Sequence, residues 1–258
     1  MEQLFTYFPA FLLVLARVAS FFVTLPLFSY RTIPNNHKIG LAFFISWMMF
    51  FSIKKEPMDI DGFYIMLVIK EVFIGLFIGF LAFMIISAIQ ICGGLIDFQM
   101  GFAIANVIDP QTGAQSPIMG QYLYTFALLF LLAVNGHHLL LDGIFYSYQL
   151  IPLNQLWLPL GNENVAEYIV KVFSKMFIIA FQMSIPIVGS LFLVDVALGI
   201  IARTVPQFNI FVVGLPVKII VSFILLIVVM TTFFIASQHL FEFMLVSMRG
   251  LMELLGGR

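Results

Sequence analysis

Charged residues are scarce in this chain. Its 258 residues include 12 Lys and Arg and 13 Asp and Glu, so 10% are charged, whereas a soluble domain usually carries about 25%. So few charges could not cover the surface of a soluble protein of this length, which excludes the soluble globular class. The net charge of −1 also provides no basic field for nucleic acid.

Cysteine and catalytic motifs are also lacking. Cys92 is the single cysteine, which excludes a disulfide framework and a cysteine-based metal cluster. The sequence has no HExxH zinc motif, no GxSxG nucleophile elbow and no GxxxxGK[ST] phosphate loop. His137 and His138 are adjacent, so their side chains diverge on a regular backbone. These absences predict a protein that is not an enzyme and binds no cofactor or metal.

Apolar residues take the place of the missing charges. The chain is 62% hydrophobic, has 31 Phe residues and has a mean hydropathy of +1.09, which is typical of a membrane protein. Glu2 stands where a signal peptide would carry positive charge, so we expect the N-terminus to stay uncleaved. Runs without charge predict an all-α fold of about six long apolar helices and some short ones: Ala10–Phe28, Ile39–Ile53, Val72–Ile96, Ile118–Leu141 (interrupted at Asn135-Gly136-His137), Met176–Val194 and Ile219–Phe241.

Clusters of Pro, Gly and polar residues predict the connections between these helices. They lie at Tyr30–Lys38, Lys54–Gly62, Asp109–Pro117, Ile151–Glu167 and Pro206–Pro216. We also expect Gly93-Gly94, then Gly101, to break a helix, and the charged stretch before Met176 to be loop-like. The two loops that flank Ile39–Ile53 each carry two Lys or Arg, so the positive-inside rule does not fix a topology.

Seven charges lie within otherwise apolar stretches, where a charge is costly unless it faces a partner or a cavity. Two interpretations remain open: an ion or proton relay in a transporter, or interhelical pairs and helix ends in a packed assembly. Lys70 and Glu71 point about 100° apart on a helix, so they need partners to serve one site. We favour pairing, because no two of them have the spacing of a relay. The seven are Arg17, Lys70, Glu71, Asp97, Asp195, Arg203 and Lys218.

A GxxxG motif at Gly75 and Gly79 lies in the longest of the apolar runs. Small residues four apart let helix backbones approach closely in a membrane. The motif therefore predicts a helix-packing contact.

Three blocks of the sequence are more specific. They are Gly101–Pro117 (GFAIANVIDPQTGAQSP), Asn135–Leu139 (NGHHL) and Asp195–Ile219. In this order they resemble the FliR family, which are subunits of the bacterial flagellar type III export gate. The resemblance covers essentially the whole chain. It implies a FliP-like region of helical hairpins over residues 1–175 and a FliQ-like C-terminal hairpin over residues 176–258.

The resemblance implies a function as well. Family members join FliP and FliQ around a pore through which unfolded flagellar subunits pass, and a central loop helps to plug the pore. It implies location in the bacterial cytoplasmic membrane at the flagellar basal body, with FlhB and FlhA as further partners. The plug corresponds here to Asn106, Asp109, Pro110, Gly113, Gln115 and Pro117, whose Pro and Gly residues predict irregular backbone.

Two other functions stay open. An injectisome export-gate subunit is a close variant of the first, since one sequence does not separate the two systems. A small-molecule or ion transporter is the less favoured alternative, motivated by the seven charges in apolar helices.

Overall fold

The computed structural model describes residues 2–29, 33–53, 57–58, 60–102, 107–108, 115–155, 163–205 and 210–257. Within these residues the chain forms eight helices and one pair of two-residue strands. In chain order they are α1 (Glu2–Thr24), α2 (Asn35–Ser52), α3 (Gly62–Ile86), α4 (Ala88–Met100), β1 (Val107–Ile108), β2 (Gln115–Ser116), α5 (Ile118–Ala133), α6 (Gly136–Leu150), α7 (Glu163–Thr204) and α8 (Ile210–Leu255). The predicted all-α class with membrane-type helices is confirmed.

The sequence predicts about six long apolar helices, and not every helix in the structure is long and apolar enough to span a membrane. Among the described residues, four segments are long and apolar enough: Tyr7–Thr24, Gly62–Met100, Glu163–Thr204 and Val212–Leu255. A fifth is possible if α5 and α6 count together as one bent span. The segment expected at Ile39–Ile53 forms α2 but does not qualify, which agrees with its short length between charged residues.

Several predicted breaks are helical instead. Gly93 and Gly94 lie inside α4, and the interruption falls earlier, at Ser87. Pro216 lies inside α8, so the predicted loop at Pro206–Pro216 ends by Ile210, and α7 already begins at Glu163 within the predicted loop Ile151–Glu167. Proline is tolerated in membrane-type helices because neighbouring groups satisfy the freed carbonyl.

The chain divides into two compact units. One comprises Met1–Ile85, Asn135–Phe173 and Glu242–Arg258, and the other comprises Ile86–Val134 and Ser174–Phe241. Each unit takes residues from both sides of Lys175, and the stretch before Met176 is helical rather than loop-like. The family resemblance implies a FliP-like region over residues 1–175 and a FliQ-like region over residues 176–258, and this division stays a prediction.

In the first unit, α1 packs on α2 through aromatic side chains. The Phe11 ring makes edge contacts with Phe43, Trp47 and Phe50 at centroid distances of 5.5, 5.6 and 5.7 Å. Such pairs add to the burial of apolar surface. The many Phe residues of the sequence thus serve here as contacts between helices.

In the second unit, α4 packs on α5 through glycines. A Cβ at Gly93 would collide with the backbone of Gly120, and one at Gly120 would lie 3.0 Å from the Gln90 carbonyl oxygen. The backbones therefore approach as closely as in a small-residue membrane contact. Glycine has a low helix propensity, and the close contact with Gly120 gives a packing reason for its presence inside α4.

Candidate functional site

The segment between α4 and α5 is the candidate plug. Its ends form a short antiparallel pairing in which Val107 is opposite Ser116 and Ile108 is opposite Gln115. The expectation of irregular backbone is therefore wrong for these four positions, since paired strands satisfy backbone hydrogen bonds that an irregular segment would leave open. Pro117 is the N-cap of α5. The predicted plug residues Asn106, Asp109, Pro110 and Gly113 lie outside the described residues.

Asp97 holds the two helices that flank this segment. It lies one turn before the end of α4, is 2% exposed, and its carboxylate accepts a hydrogen bond from the Met119 backbone N–H at 3.0 Å. Met119 is in the first turn of α5, where backbone N–H groups lack helical acceptors and favour a negative charge. Asp97, one of the seven charges in apolar stretches, thus caps the N-terminus of the neighbouring helix α5.

Replacing Asp97 with alanine should lower the unfolding free energy by about 1–3 kcal/mol, because the buried N–H of Met119 loses its acceptor. Asp97→Asn should cost less, since its side-chain oxygen still accepts. Thermal unfolding of the detergent-solubilised chain would measure both. An alanine variant as stable as the unsubstituted chain would contradict a capping role for Asp97.

Asp195 joins three helices of the second unit. On α7, its carboxylate pairs with Lys218 of α8 at 2.8 Å and accepts a hydrogen bond from the Gln99 side-chain amide of α4 at 2.7 Å. Gln99 lies just before Gly101, which ends α4 in the left-handed conformation at φ 90°. A Cβ at Gly101 would also meet the Leu215 side chain of α8. Arg203, by contrast, is exposed near the end of α7.

Arg17, Lys70 and Glu71 meet in the core of the first unit. The guanidinium of Arg17 donates from Nε and Nη2 to the two Glu71 carboxylate oxygens, and Lys70 Nζ lies 2.7 Å from Glu71 Oε1. Arg17 and Glu71 are fully buried and Lys70 is 4% exposed. Arg17 from α1 is thus the partner that lets two sequence neighbours serve one site. We call these three side chains the charge network.

The charge network contains two cations and one anion. The excess positive charge lies next to hydrogen-bond acceptors at the C-terminal end of α6. Arg17 also donates to Ser147 Oγ at 2.9 Å and to the Ile151 carbonyl at 3.0 Å. Lys70 donates to the carbonyls of Pro152 and Leu153, each at 3.1 Å. Carbonyl groups at a helix C-terminus carry partial negative charge. The network therefore ties α1 and α3 to the end of α6.

The Tyr148 ring completes this cluster. The Arg17 guanidinium lies over it, 4.1 Å from the ring centroid, and the tyrosine hydroxyl donates to the Val14 carbonyl at 3.1 Å. A buried guanidinium gains from such a cation–π contact. Sequence reasoning missed Ser147 and Tyr148, because both are polar residues in an amphipathic helix with nothing in the sequence that marks them as buried.

Gly75 and Gly79 form a contact within the chain. A Cβ at Gly75 would collide with the Arg17 carbonyl oxygen and Ser20 Oγ of α1, and a Cβ at Gly79 would collide with the Thr24 hydroxyl. The motif thus brings α3 against α1 next to the charge network. Sequence reasoning missed the second such contact, between Gly93 and Gly120, whose signal was a pair of glycines in an apolar run.

Each of the three buried or part-buried carboxylates has a defined partner. Glu71 is bound by two cations, Asp195 by Lys218 and Gln99, and Asp97 by the end of α5. Among the described residues, no group of three or more His, Cys, Asp or Glu side chains could hold a metal ion. The chemistry of these sites is that of structural pairing and helix capping.

Comparison with known proteins adds a functional context. Residues 8–244 match the family described as bacterial export proteins, family 1. The chain is 57% identical to the flagellar biosynthetic protein FliR of Bacillus subtilis, over 99% of both chains, and 28% identical to that of Escherichia coli, over 93% and 92%. It is also 29% identical to the Yop proteins translocation protein T of Yersinia pestis, over 84% of each chain.

Proposed function

Because the chain belongs to the bacterial export proteins, family 1, we propose that it is a non-enzymatic subunit of the flagellar type III protein export gate in the cytoplasmic membrane. The observation that carries this proposal is the 57% identity over nearly full length to a flagellar biosynthetic protein. In this role the chain forms part of a pore with FliP- and FliQ-type subunits, with FlhA and FlhB as further partners of the gate. Unfolded flagellar proteins are the cargo.

The dimensions of α7 and α8 support a role inside an assembly. With 42 and 46 residues, they are about 63 and 69 Å long at 1.5 Å per residue, against about 30 Å for a bilayer core. In the most apolar stretch of each of these two helices, 17% of the residues are buried within the chain, compared with 56% in α1. The hydrocarbon core of a bilayer is too thin to surround apolar helices of this length. We therefore expect neighbouring subunits to cover the apolar surface that lies outside it.

Co-purification in mild detergent tests the proposal. The chain, tagged at its C-terminus and expressed from its own locus, should recover FliP- and FliQ-type subunits that mass spectrometry identifies. Deleting its gene should abolish export of flagellin into the medium, and a plasmid copy should restore it. A chain that purifies alone, from cells that still export flagellin without it, would contradict the proposal.

The similarity to the translocation protein of Yersinia pestis supports an injectisome export gate as the alternative function. The same deletion strain separates the two systems, because an injectisome subunit would leave flagellin export intact. The transporter alternative predicts uptake by the purified chain alone in liposomes. The paired state of Glu71 and Asp195 favours structural roles over a relay.

The plug assignment yields its own prediction. Deleting Gly113–Gln115 should make the gate leaky to ions without preventing assembly, because the shortened segment no longer fills the pore while Asp97 and the Gly93–Gly120 contact still hold its flanking helices. Membrane conductance or dye entry into cells would report the leak. Assembly at normal levels with no increase in conductance would contradict the plug assignment.

A further inference from the structure

A cavity of about 550 Å³ lies in the first unit and is lined by the C-terminal ends of both α2 and α6. Ligand sites in proteins usually have volumes of about 300–1,000 Å³, so this cavity is large enough for a small molecule or a headgroup. Its lining combines apolar side chains, among them Ile53, Phe145 and Leu153, with the polar side chains of Ser52 and Gln149. We call it the α2–α6 cavity.

The charge network lies next to one wall of this cavity. Lys70 donates to the carbonyls of Pro152 and Leu153, which are two of the lining residues. Arg17 lies over the ring of Tyr148, which is a third. The network has an excess of one positive charge, whereas the carbonyl end of a helix supplies only about half a negative charge. The wall therefore attracts an anionic group and repels a cationic one.

Two polar side chains of the cavity are available to bind such an anion. Ser52 is the last residue of α2, Gln149 lies in the last turn of α6, and both are exposed. Within the described ranges of the chain, no hydrogen bond engages the Ser52 hydroxyl or the Gln149 amide. Hydroxyl and amide groups donate hydrogen bonds to anionic oxygens. The cavity thus offers two donors beside a wall of positive potential.

An apolar stripe on α2 continues from the cavity. Four exposed apolar side chains follow one another at spacings of three or four residues, so they share one side of the helix: Leu41, Phe44, Met48 and Phe51. Ser52, at the cavity, lies one turn beyond Met48 on the same side. The stripe is about 15 Å long at 1.5 Å per residue. An alkyl chain fits along it while a polar head occupies the cavity.

We propose that the α2–α6 cavity binds the headgroup of an anionic phospholipid, whose acyl chain lies along the apolar stripe of α2. The excess positive charge of the network selects the anion, and Ser52 and Gln149 donate to its phosphate oxygens. A headgroup that carries its own cation is disfavoured by the same charge, and free phosphate has no tail for the stripe. The site requires only a membrane-type chain, so this inference does not rest on the proposed function.

The sign of the charge at position 149 tests the headgroup site. The full chain, purified in mild detergent and stripped of lipid, is titrated with phosphatidylglycerol while its thermal unfolding is followed. We expect a rise in melting temperature, and a clearly smaller rise with phosphatidylethanolamine. Gln149→Glu should weaken the apparent affinity for phosphatidylglycerol about tenfold or more, since it replaces a hydrogen bond to a charged group by repulsion.

Gln149→Lys is the matched control for Gln149→Glu. It changes the same exposed side chain, but it keeps a donor and adds a positive charge, so its affinity for phosphatidylglycerol should equal or exceed that of the unsubstituted chain. A loss of affinity in both variants would indicate a structural effect and overturn the proposal. Equal affinity in both variants and the unsubstituted chain would also overturn it, because the lipid would then bind elsewhere.

Met48→Gln tests the tail. Met48 is 74% exposed, so the change should leave the fold intact, while it places an amide in the path of the acyl chain. We expect weaker binding of phosphatidylglycerol by this variant. Inorganic phosphate at the same concentration should not raise the melting temperature of the unsubstituted chain. A rise equal to that with phosphatidylglycerol would show a site for free anions and overturn the lipid assignment.

A photocrosslinking amino acid at position 52 identifies the occupant in intact cells. We expect an adduct with phospholipid. An adduct with a protein subunit in its place would overturn the proposal. None of these outcomes changes the recovery of FliP- and FliQ-type subunits, so failure of the lipid site and failure of the proposed function are distinguishable.

Discussion

Replacing Glu71 with glutamine should remove a large part of the stability of the first unit. The change keeps the size of the side chain but leaves Arg17 and Lys70, both buried, without their counter-charge. Breaking a buried ion pair on one side typically costs about 3–5 kcal/mol, a large part of the roughly 5–15 kcal/mol that holds a folded protein together. We expect little folded chain in the membrane and no recovered complex.

A triple variant separates the loss of charge balance from a general intolerance of this site. Arg17→Met/Lys70→Met/Glu71→Met removes all three charges and keeps apolar volume, and such replacements are often neutral or stabilising. It should accumulate far better than Glu71→Gln. The matched control is Glu167→Gln, because Glu167 pairs with Lys171 on an exposed face of α7, with side chains 62% and 70% exposed, and its loss should have no measurable effect.

Fluorescence-detected size-exclusion chromatography after heating would rank these variants. Equal stability of Glu71→Gln and the unsubstituted chain would show that the charge network contributes nothing net. Failure of the triple variant as well would show that the carbonyls of residues 151–153 need the cations, since these carbonyls accept from Arg17 and Lys70.

Replacing Gly75 with leucine should have the second largest effect. A side chain there meets the Arg17 carbonyl and the backbone nitrogen of Phe21, so α1 and α3 must separate. Overpacking usually costs about 1–3 kcal/mol. Here the cost should lie at or above the upper end, because moving Arg17 also disturbs its bonds to Glu71. Gly75→Ala should give a smaller loss in the same direction.

Glycines in open surroundings provide the controls for Gly75. A Cβ at Gly40 or Gly189 would have no atom within 4 Å, so alanine there should be neutral or stabilising, in line with its higher helix propensity. Gly75→Ala and Glu71→Gln should also be non-additive, since both act on Arg17. Additive losses in thermal stability, or a Gly75→Leu chain that is as stable as Gly40→Ala, would contradict the close contact.

For the seven charges in apolar stretches, the sequence predicted that partners are needed but did not predict which residues they are. Their positions in apolar runs identified them as groups that need partners, because burial of a lone charge is costly whatever the fold. Which partners they have could not be read from spacing. Arg17 and Glu71 are 54 residues apart, and Asp195 pairs with Lys218 rather than with Arg203.

The glycines had a different outcome. Gly75 and Gly79 fit a spacing rule, so their packing role was predicted, although the partner helix was not. Gly93 was interpreted as a helix breaker from its intrinsic preference, and the structure places it against Gly120. Intrinsic preference is worth about 1 kcal/mol, which a close helix contact readily exceeds.

The amino-acid sequence by itself determined the class of this protein: membrane-type, all-α, and, through three blocks of residues, similar to export-gate subunits. These follow from local properties, since hydropathy and motif spacing need no knowledge of distant contacts. The tertiary structure decided what the rare charges do. It brings Arg17, Lys70 and Glu71 together with the end of α6, and it joins Gln99, Asp195 and Lys218 near the end of α4. The reason is that a buried charge in a low-dielectric interior needs a partner. Because the chain has few charges, these partners come from helices that are far apart in sequence.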